Sequence, residues 1–306
     1  MIDRVDIIIT TKNRIHDLLI TIDHMLSIGF NQNQFYIVDD GSTDSTFSVI
    51  KEKYPFINIK RNDISKGLMF NRSEMMLWTK RDYILSIDDD SYIRTKEDVE
   101  DAISIMDSDC SFGIFHFRVF NQIMSPPPKN EFKKTFRFLR GYIGCGHIIK
   151  REVIQKLGRY REVLVFYCEE LDYSLRAYEL GYKTVTRDDL IVHHRIDLQL
   201  RENQKKTVDS KGVYGREWRN IHLYSNNVLI SMLYYPFGID LIFSFYRLVL
   251  AFYRMVLNEK QFAGYFKMLY RILCFIPYVF KEYNKLSYKN FFIWFKYPDM
   301  TDANTI

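Results

Sequence analysis

An α/β fold, with a mostly parallel sheet flanked by helices, follows from two observations on the first two hundred residues. Short apolar runs of β character alternate with helix-period patterns between Val5 and Ile87, the order that βαβ units require. Two of those runs end in acids: Phe35 to Val38 leads into Asp39-Asp40, and Tyr83-Ile84-Leu85-Ser86-Ile87 into Asp88-Asp89-Asp90. Right-handed crossovers bring such strand ends to one edge of the sheet, where open parallel sheets bind ligands.

Val5 to Thr10 reads as a buried strand and Ile15 to Ile28 as a helix. After the strand Phe35 to Val38, Thr43 or Asp44 caps a helix running to Lys53,. Ile57 to Lys60 is a third strand, Gly67 to Trp78 a third helix, and Tyr83 to Ile87 the strand that carries three acids. Beyond Met106 the pattern loosens. Cys110 to Phe120 reads as a longer strand, and Ser125-Pro126-Pro127-Pro128-Lys129 as a loop,. Ile143 to Lys150 is interrupted by glycine, Arg151 to Leu157 is a short helix stopped by Gly158, and Glu169 to Leu180 is a helix closed by Gly181,. Leu190 to Val192 is a strand ending at His193-His194, and the polar, aperiodic residues 195–215 suit a loop over a site,.

From Trp218 the chain turns helical and aromatic. Between Phe237 and Leu257 the polar residues Asp240, Ser244, Arg247 and Arg254, with Ala251 in the gap, trace one narrow helical stripe,. Lys260, Lys267 and Arg271 continue a similar pattern, and Lys285, Lys289 and Lys296 flank Phe291-Phe292-Ile293-Trp294-Phe295. Helices this broadly apolar with a thin basic edge suit a membrane interface. Packing on the α/β domain, or on a second copy of the chain as a homo-oligomer, is the alternative. The expected division is an α/β domain over 1–216 and an amphipathic helical region over 217–306.

Composition narrows the classes. A hydrophobic fraction of 47% is enough for a sizeable core. From Arg201 onward there are 15 Lys/Arg against 8 Asp/Glu, so the net charge of +5 is a property of the C-terminal third. No basic cluster is dense enough to track a phosphate backbone, which argues against nucleic acid as a partner. Cys110, Cys145, Cys168 and Cys274 lack metal-type spacing and read as free thiols of a reducing cytoplasm,. No charged segment followed by an apolar core opens the chain, so no secretory signal is expected. No apolar span of transmembrane length occurs either.

Burying unpaired anions is expensive, so a buried strand delivers three carboxylates to one point only where something cationic neutralises them. A divalent cation carrying a nucleotide phosphate is the first candidate, since Mg2+ takes one or two carboxylates and completes its shell with water and phosphate oxygens. A solvated acidic turn is the plain alternative. For Asp39-Asp40-Gly41 that alternative is an Asp-Gly turn with a helix cap,.

Taken in order, the motifs resemble the family-2 inverting nucleotide-sugar glycosyltransferases, which have the glycosyltransferase-A (GT-A) fold. The resemblance covers about residues 5–200. Ile9-Thr10-Thr11-Lys12-Asn13-Arg14 is similar to the family's opening strand and turn, with Lys12 where Tyr is usual, and Val38-Asp39-Asp40-Gly41-Ser42-Thr43-Asp44 to its second-strand signature. Gly67 and Arg72 stand where a Gly-x-x-x-Ala-Arg-Asn helix is expected, and Asp88-Asp89-Asp90 matches the Asp-x-Asp metal motif. Gly144-Cys145-Gly146-His147 resembles the acceptor-side segment. Glu169-Glu170-Leu171-Asp172 with Arg176 resembles the Glu-Asp-x-Asp helix start, and His193 falls where many members place a His after a strand.

The resemblance implies roles. Thr10, Asn13, Arg14, Asp39, Asp40, Arg72, Asp88 and Asp89 bind the donor, with Thr10 and Asp40 lining the nucleobase pocket. A carboxylate accepts the imide N–H of uracil or thymine, so Asp40 favours a UDP- or dTDP-sugar. Asp90, Asp88 and His193 hold Mn2+ or Mg2+, which stabilises charge on the leaving diphosphate. Glu170, where the family usually has Asp, is the base that activates an acceptor hydroxyl, with Glu169 as its competitor. Gly146, His147, Glu169 and Asp172 face the acceptor, a glycan or a lipid-linked glycan of cell-surface polysaccharide synthesis. The expected location is the cytoplasm, peripheral on the inner membrane face. Two rivals stand beside this reading. A sugar-phosphate nucleotidyltransferase needs a glycine-rich loop that Thr10 to Arg14 lacks, and a non-catalytic relative has no use for the intact acid set.

Overall fold

The computed structural model of the 306-residue chain describes residues 1–122, 131–196 and 215–299. The expected proline loop and most of the 195–215 loop lie outside the described residues. The chain forms two units. One is built on Met1–Tyr160 with the segment from Arg176, the other on Arg161–Leu175 with the helices up to Tyr297.

In chain order the first unit runs β1 (Val5–Thr11), α1 (Ile15–Ser27), β2 (Phe35–Asp39), α2 (Thr46–Lys53), β3 (Asn58–Arg61), α3 (Leu68–Trp78), β4 (Tyr83–Ser86) and β5 (Ser91–Ile93). It continues with α4 (Lys96–Ser108), β6 (Phe112–Asn121), β7 (Phe136–Leu139), β8 (His147–Lys150) and α5 (Arg151–Leu157). Helix α6 (Glu169–Glu179) starts in the second unit, and β9 (Lys183–His194) returns to the sheet. Nine strands form one sheet in the order β3-β2-β1-β4-β8-β6-β9-β5, with β7 paired to β9. Strands β3-β2-β1-β4 are parallel throughout, as is β6 with β9, while β8 enters antiparallel between β4 and β6.

Strand β1 is covered on both faces, which is why Ile7, Ile8 and Ile9 run consecutively and all are buried,. Helix α1 meets the core with Leu18, Ile22 and Met25, spaced at the helical period,. Asp6 lies in the same strand with no exposed surface, and its carboxylate accepts from the Lys80 N–H at 2.6 Å and the Arg81 N–H at 2.9 Å and pairs with the Arg81 guanidinium. Those donors supply what burial removes. Strand β3 closes the edge and is half exposed, with Lys60 and Arg61 at its end,.

Strand β9 is far longer than the expected Leu190 to Val192. Arg187-Asp188-Asp189 hides its first half from a hydrophobic-pattern reading. These charges are accommodated because Arg187 pairs with Asp189 at 2.6 Å and Asp101 at 2.5 Å, and Arg137 pairs with Asp188. The short β5 and β7 carry too few residues to show a period.

The second unit holds α7 (Arg216–Tyr234), α8 (Ile239–Ala251), a π-helical turn (Phe252–Asn258), α9 (Phe262–Glu282) and α10 (Tyr288–Phe295). Its amphipathic pattern is reversed. On α8, Asp240 is buried and paired with Lys285, and Arg247 donates to the Asn227 carbonyl and, at 2.5 Å, to Ser231 Oγ. The apolar residues Leu241, Ile242, Phe245, Tyr246 and Val249 are exposed instead. On α9, half-buried Arg271 donates to Ser225, Asn226 and the Val163 carbonyl, while Phe266, Tyr270, Leu273 and Phe280 face out. Among the described residues no helix is long and apolar enough to cross a membrane.

Candidate active site

Strand β4 ends at Ser86, and a tight turn carries the chain into β5. The Asp88 N–H donates to Ser91 Oγ at 2.8 Å, and the Ser91 N–H donates to the Asp88 carbonyl at 3.1 Å. The turn sends the three carboxylates to different partners. Asp88 stays half-exposed and meets Arg72 Nη2 at 3.2 Å. Asp89 is buried, accepts from Thr11 Oγ1 at 2.8 Å and pairs with Arg14 Nη1 at 3.0 Å. Asp90 is buried between Arg14 Nη2, 2.8 Å from Oδ2, and His194 Nε2, 3.1 Å from Oδ1.

The charge that neutralises Asp89 and Asp90 is therefore an arginine of the chain itself. Arg14, expected to bind the donor, is committed to Asp89, Asp90 and Asp17. Burial pushes the Asp89 carboxyl up to about 7 against the pull of Arg14, so Asp89 is a packed acid beneath the site. Burial also opposes ionisation of Asp90, but His194 and Arg14 hold its carboxyl well below the usual range,.

The second acidic pair divides its work differently from expectation. Both Asp40 oxygens are filled: Oδ1 by Asn62 Nδ2 and the Lys66 N–H, each at 2.8 Å, and Oδ2 by Ser65 Oγ at 2.6 Å and the Gly67 N–H at 3.0 Å. Burial raises its pKa, yet those donors win and lower it to about 2. Asp40 has no acceptor capacity left for a base; it anchors the loop before α3. Asp39 keeps an open atom. Its Oδ1 accepts from the Ser42 N–H at 2.8 Å, while the buried Oδ2 has no hydrogen bond and lies 3.8 Å from Arg61 Nε. Thr10 Oγ1 is likewise buried without a hydrogen bond. Asn13 adopts φ +55 and ties β1 to the second-strand loop, its Oδ1 accepting the Thr43 N–H at 2.7 Å,.

Strands β8 and β9 complete the rim. Gly146 donates its N–H to the Ser86 carbonyl at 3.0 Å and has φ +76; a Cβ there would meet Val192 Cγ1 at 2.4 Å. Only glycine allows β8 and β9 to pass this closely. His147, expected to face an acceptor, is a core residue: it pairs with Ser86 in the sheet, is 1% exposed, and places Nδ1 3.2 Å from the Ile143 carbonyl. Burial, with Arg72 nearby, drives its pKa well below the ordinary value, so the ring is neutral. His193 is also turned away from the metal role. Its Nδ1 meets Tyr92 Oη at 3.0 Å and its Nε2 the Gln122 carbonyl at 2.8 Å. Neighbouring strand residues face opposite ways, so the next residue, His194, reaches the acids.

His194 Nδ1 lies 2.9 Å from Asn121 Oδ1, which holds the ring with Nε2 facing the site, where it meets Asp90 Oδ1,. Ligand atoms of Asp88, Cys145 and His194 lie within 4.8 Å of one another. Cys145 is buried, and desolvation pushes its thiol well up. A divalent cation fits this set. The 3.1 Å between His194 Nε2 and Asp90 Oδ1 matches two adjacent vertices of an octahedron with bonds of about 2.1 Å. Nothing in the spacing of the sequence marked Cys145, since its partners come from strands β4 and β9.

The first turn of α6 sits in the helical unit. Asp172 is fully buried there, accepting from Tyr234 Oη at 2.6 Å and pairing with Arg161 Nε at 3.2 Å. It fastens the helix rather than facing an acceptor. Glu169 is buried and Glu170 half-buried. The loop before them holds Val165, Tyr167 and Cys168 at φ +56, +68 and +67. Asn226 Nδ2 clamps it through the carbonyls of Leu164 at 2.6 Å and of Phe166 and Tyr167 at 2.8 Å. Positive φ at three non-glycine residues is costly and persists only where surrounding bonds such as these hold it; Asn226 carried no signal in the sequence.

Comparison with known proteins agrees with this architecture. The profile of Glycosyl transferase family 2 matches residues 6–158, and the chain belongs to that family. It has the GT-A fold and is a glycosyltransferase. The mannosyltransferase PcManGT from Pyrobaculum calidifontis, solved with GDP-Man and Mn2+, is 12% identical, with 88% of this chain and 87% of that chain covered and a TM-score of 0.55. TarS from S. aureus, solved with UDP-GlcNAc, is 14% identical over 92% of this chain and 81% of that chain, with a TM-score of 0.56. GalNAc-T7, solved with UDP, GalNAc and Mn2+, is 14% identical over 73% of this chain and 51% of that one, with a TM-score of 0.54. No curated protein matches the chain.

Proposed function

We propose that the protein transfers a sugar, with inversion, from a nucleoside diphosphate donor to a hydroxyl of a glycan or lipid-linked acceptor at a membrane surface. One observation carries the chemistry: on a family-2 scaffold, Asp88 and His194 bring ligand atoms within 4.8 Å of each other at the strand ends and Asp90 meets His194 at 3.1 Å, while Thr10 Oγ1 and Asp39 Oδ2 keep buried acceptors without a hydrogen bond. Asp39 Oδ2 suits the imide N–H of uracil or thymine, which favours a UDP- or dTDP-sugar. Asp88, with Asp90 and His194, would hold Mn2+ or Mg2+. A cation bound there would neutralise charge developing on the departing diphosphate. Arg72, 3.2 Å from Asp88, adds a positive charge on the same side,. Glu170, half-buried at the head of α6, takes the acceptor proton; single displacement with inversion needs no nucleophile of the enzyme.

The second unit favours a lipid surface over a second protein copy. Its exposed charged residues between 237 and 297 are Arg254, Lys260, Lys267, Lys281, Lys289 and Lys296, all basic, whereas Asp240, Glu259 and Glu282 are buried or half-buried. The same segment exposes aromatics such as Phe237 and Phe280, at 76% and 75%. Exposed apolar side chains in a segment whose exposed charges are all positive suit anionic phospholipid, the chemistry of the cytoplasmic leaflet. An isologous dimer would set like charges against each other.

The test is a screen of nucleotide sugars with Mn2+ or Mg2+. Release of a nucleoside diphosphate from one donor supports the reading. Pyrophosphate release from a nucleoside triphosphate and a sugar phosphate, without diphosphate release from any donor, overturns it.

A further inference from the structure

A hard Mg2+ or Mn2+ prefers oxygen ligands, but the side chains gathered at these strand ends are not all hard donors. Asp88 follows β4, Cys145 precedes the β8 residue His147 by two positions, and His194 ends β9, yet one ligand atom from each lies within 4.8 Å of the other two. We propose that Cys145 is a ligand of the cation site, which therefore takes a thiophilic divalent cation, Zn2+ above all, more tightly than Mg2+. The proposal rests on the cation reading given above and names a ligand that reading does not use.

Cys145, 4% exposed and in no disulfide, belongs to the hydrophobic core, and it also has a carboxylate and an imidazole with ligand atoms within 4.8 Å of its sulfur. The backbone enforces that position. The Gly146 N–H bonds the Ser86 carbonyl at 3.0 Å, and the absent side chain of Gly146 lets Val192 of β9 approach, so three strands deliver three donors to one point. The His194 ring is already oriented by Asn121 with Nε2 inward. Asp90 Oδ1 is buried and faces that same Nε2 at 3.1 Å. A proton joins such a pair, and a cation can take its place.

The donor set Asp-Cys-His is one that zinc accepts, with Zn–S of about 2.3 Å and Zn–N of about 2.0 Å. Those bonds put neighbouring ligand atoms roughly 3.5 Å apart, so side-chain rotation has only to close the cluster slightly. As the sulfur–metal bond forms, the thiol proton passes to water, and the thiolate selects zinc over magnesium.

The experiment uses Co2+ as a spectroscopic stand-in for zinc on the full-length protein. Thiolate coordination gives a near-ultraviolet sulfur-to-cobalt charge-transfer band that oxygen and nitrogen ligands do not. The expected result is a band that saturates at one equivalent, is displaced by Zn2+, survives Ser replacement of Cys110, Cys168 and Cys274 together, and is lost in Cys145→Ser. Calorimetry should show Zn2+ affinity falling about 10–100-fold in Cys145→Ser while Mg2+ affinity with UDP stays within about threefold. If Cys145→Ser does not fold, the triple variant alone decides, since Cys145 is then the only thiol. Binding of Co2+ or Mn2+ without the band overturns the thiol ligand and leaves the cation reading standing. Binding of no divalent cation, with or without UDP, overturns both.

Discussion

Glu170 and Asp40 are carboxylates in contrasting settings. Glu170 is half-buried at a helix start, where the helix dipole favours its anion,. Glu170→Gln should lower kcat by about 10²–10⁴-fold with donor affinity nearly unchanged. Equal losses in kcat and affinity, measured by turnover and calorimetry, would remove it from the role of base. Asp40 is a loop anchor with a pKa lowered to about 2. Its folded pKa lies below the unfolded value, so its stabilisation is full above about pH 4 and fades as pH falls towards 2. Asp40→Asn should destabilise the protein at neutral pH by roughly 1–2 kcal/mol and flatten that part of the acid-unfolding curve. An unchanged curve would assign the acid sensitivity elsewhere.

At the scale of elements, the strand ends do the positioning, and Gly146 is their tightest point. Gly146→Ala adds a methyl 2.4 Å from Val192 Cγ1 on a backbone at φ +76. Overpacking costs roughly 1–3 kcal/mol, and the displaced end of β9 should also weaken cation binding at His194. Thermal unfolding and Mn2+ titration check both effects; a variant of native stability and affinity would show that β9 is not held by this contact. The same elements show what the sequence could reveal. Strands β1, β2 and β4, and the acids that follow β2 and β4, were legible, because buried parallel strands read as apolar runs and the carboxylates stand at their ends. The partners of those acids were not. Arg14 and His194 reach Asp90 from residues 76 and 104 positions away, and pattern alone does not say which of two adjacent histidines faces inward. Nor did pattern say which of Asp39 and Asp40 meets the loop donors, since that depends on the path of residues 62–67.

For the molecule as a whole, the helical unit presents an exposed apolar surface on α8 and α9. The polar stripe on α8 was readable, but its inward direction was not, because amphipathicity does not tell which side is solvent. With the apolar side outward, the protein should sediment with vesicles rich in phosphatidylserine, bind neutral vesicles less, and be released by salt. Ile242→Asp with Phe245→Asp should abolish vesicle binding without lowering the melting temperature, since both side chains are exposed. A wild-type protein that ignores vesicles and forms a concentration-dependent dimer, lost in the double variant, would give that face to a second copy.

If side chains from separate strand ends grip a cation-bridged diphosphate, calorimetric titration of UDP with and without Mn2+ will show it. Binding should depend on the cation, fall at least tenfold in Asp88→Ala and in His194→Ala, and remain in His193→Ala. Binding of UDP that ignores Mn2+, or that survives loss of both Asp88 and His194, would contradict it.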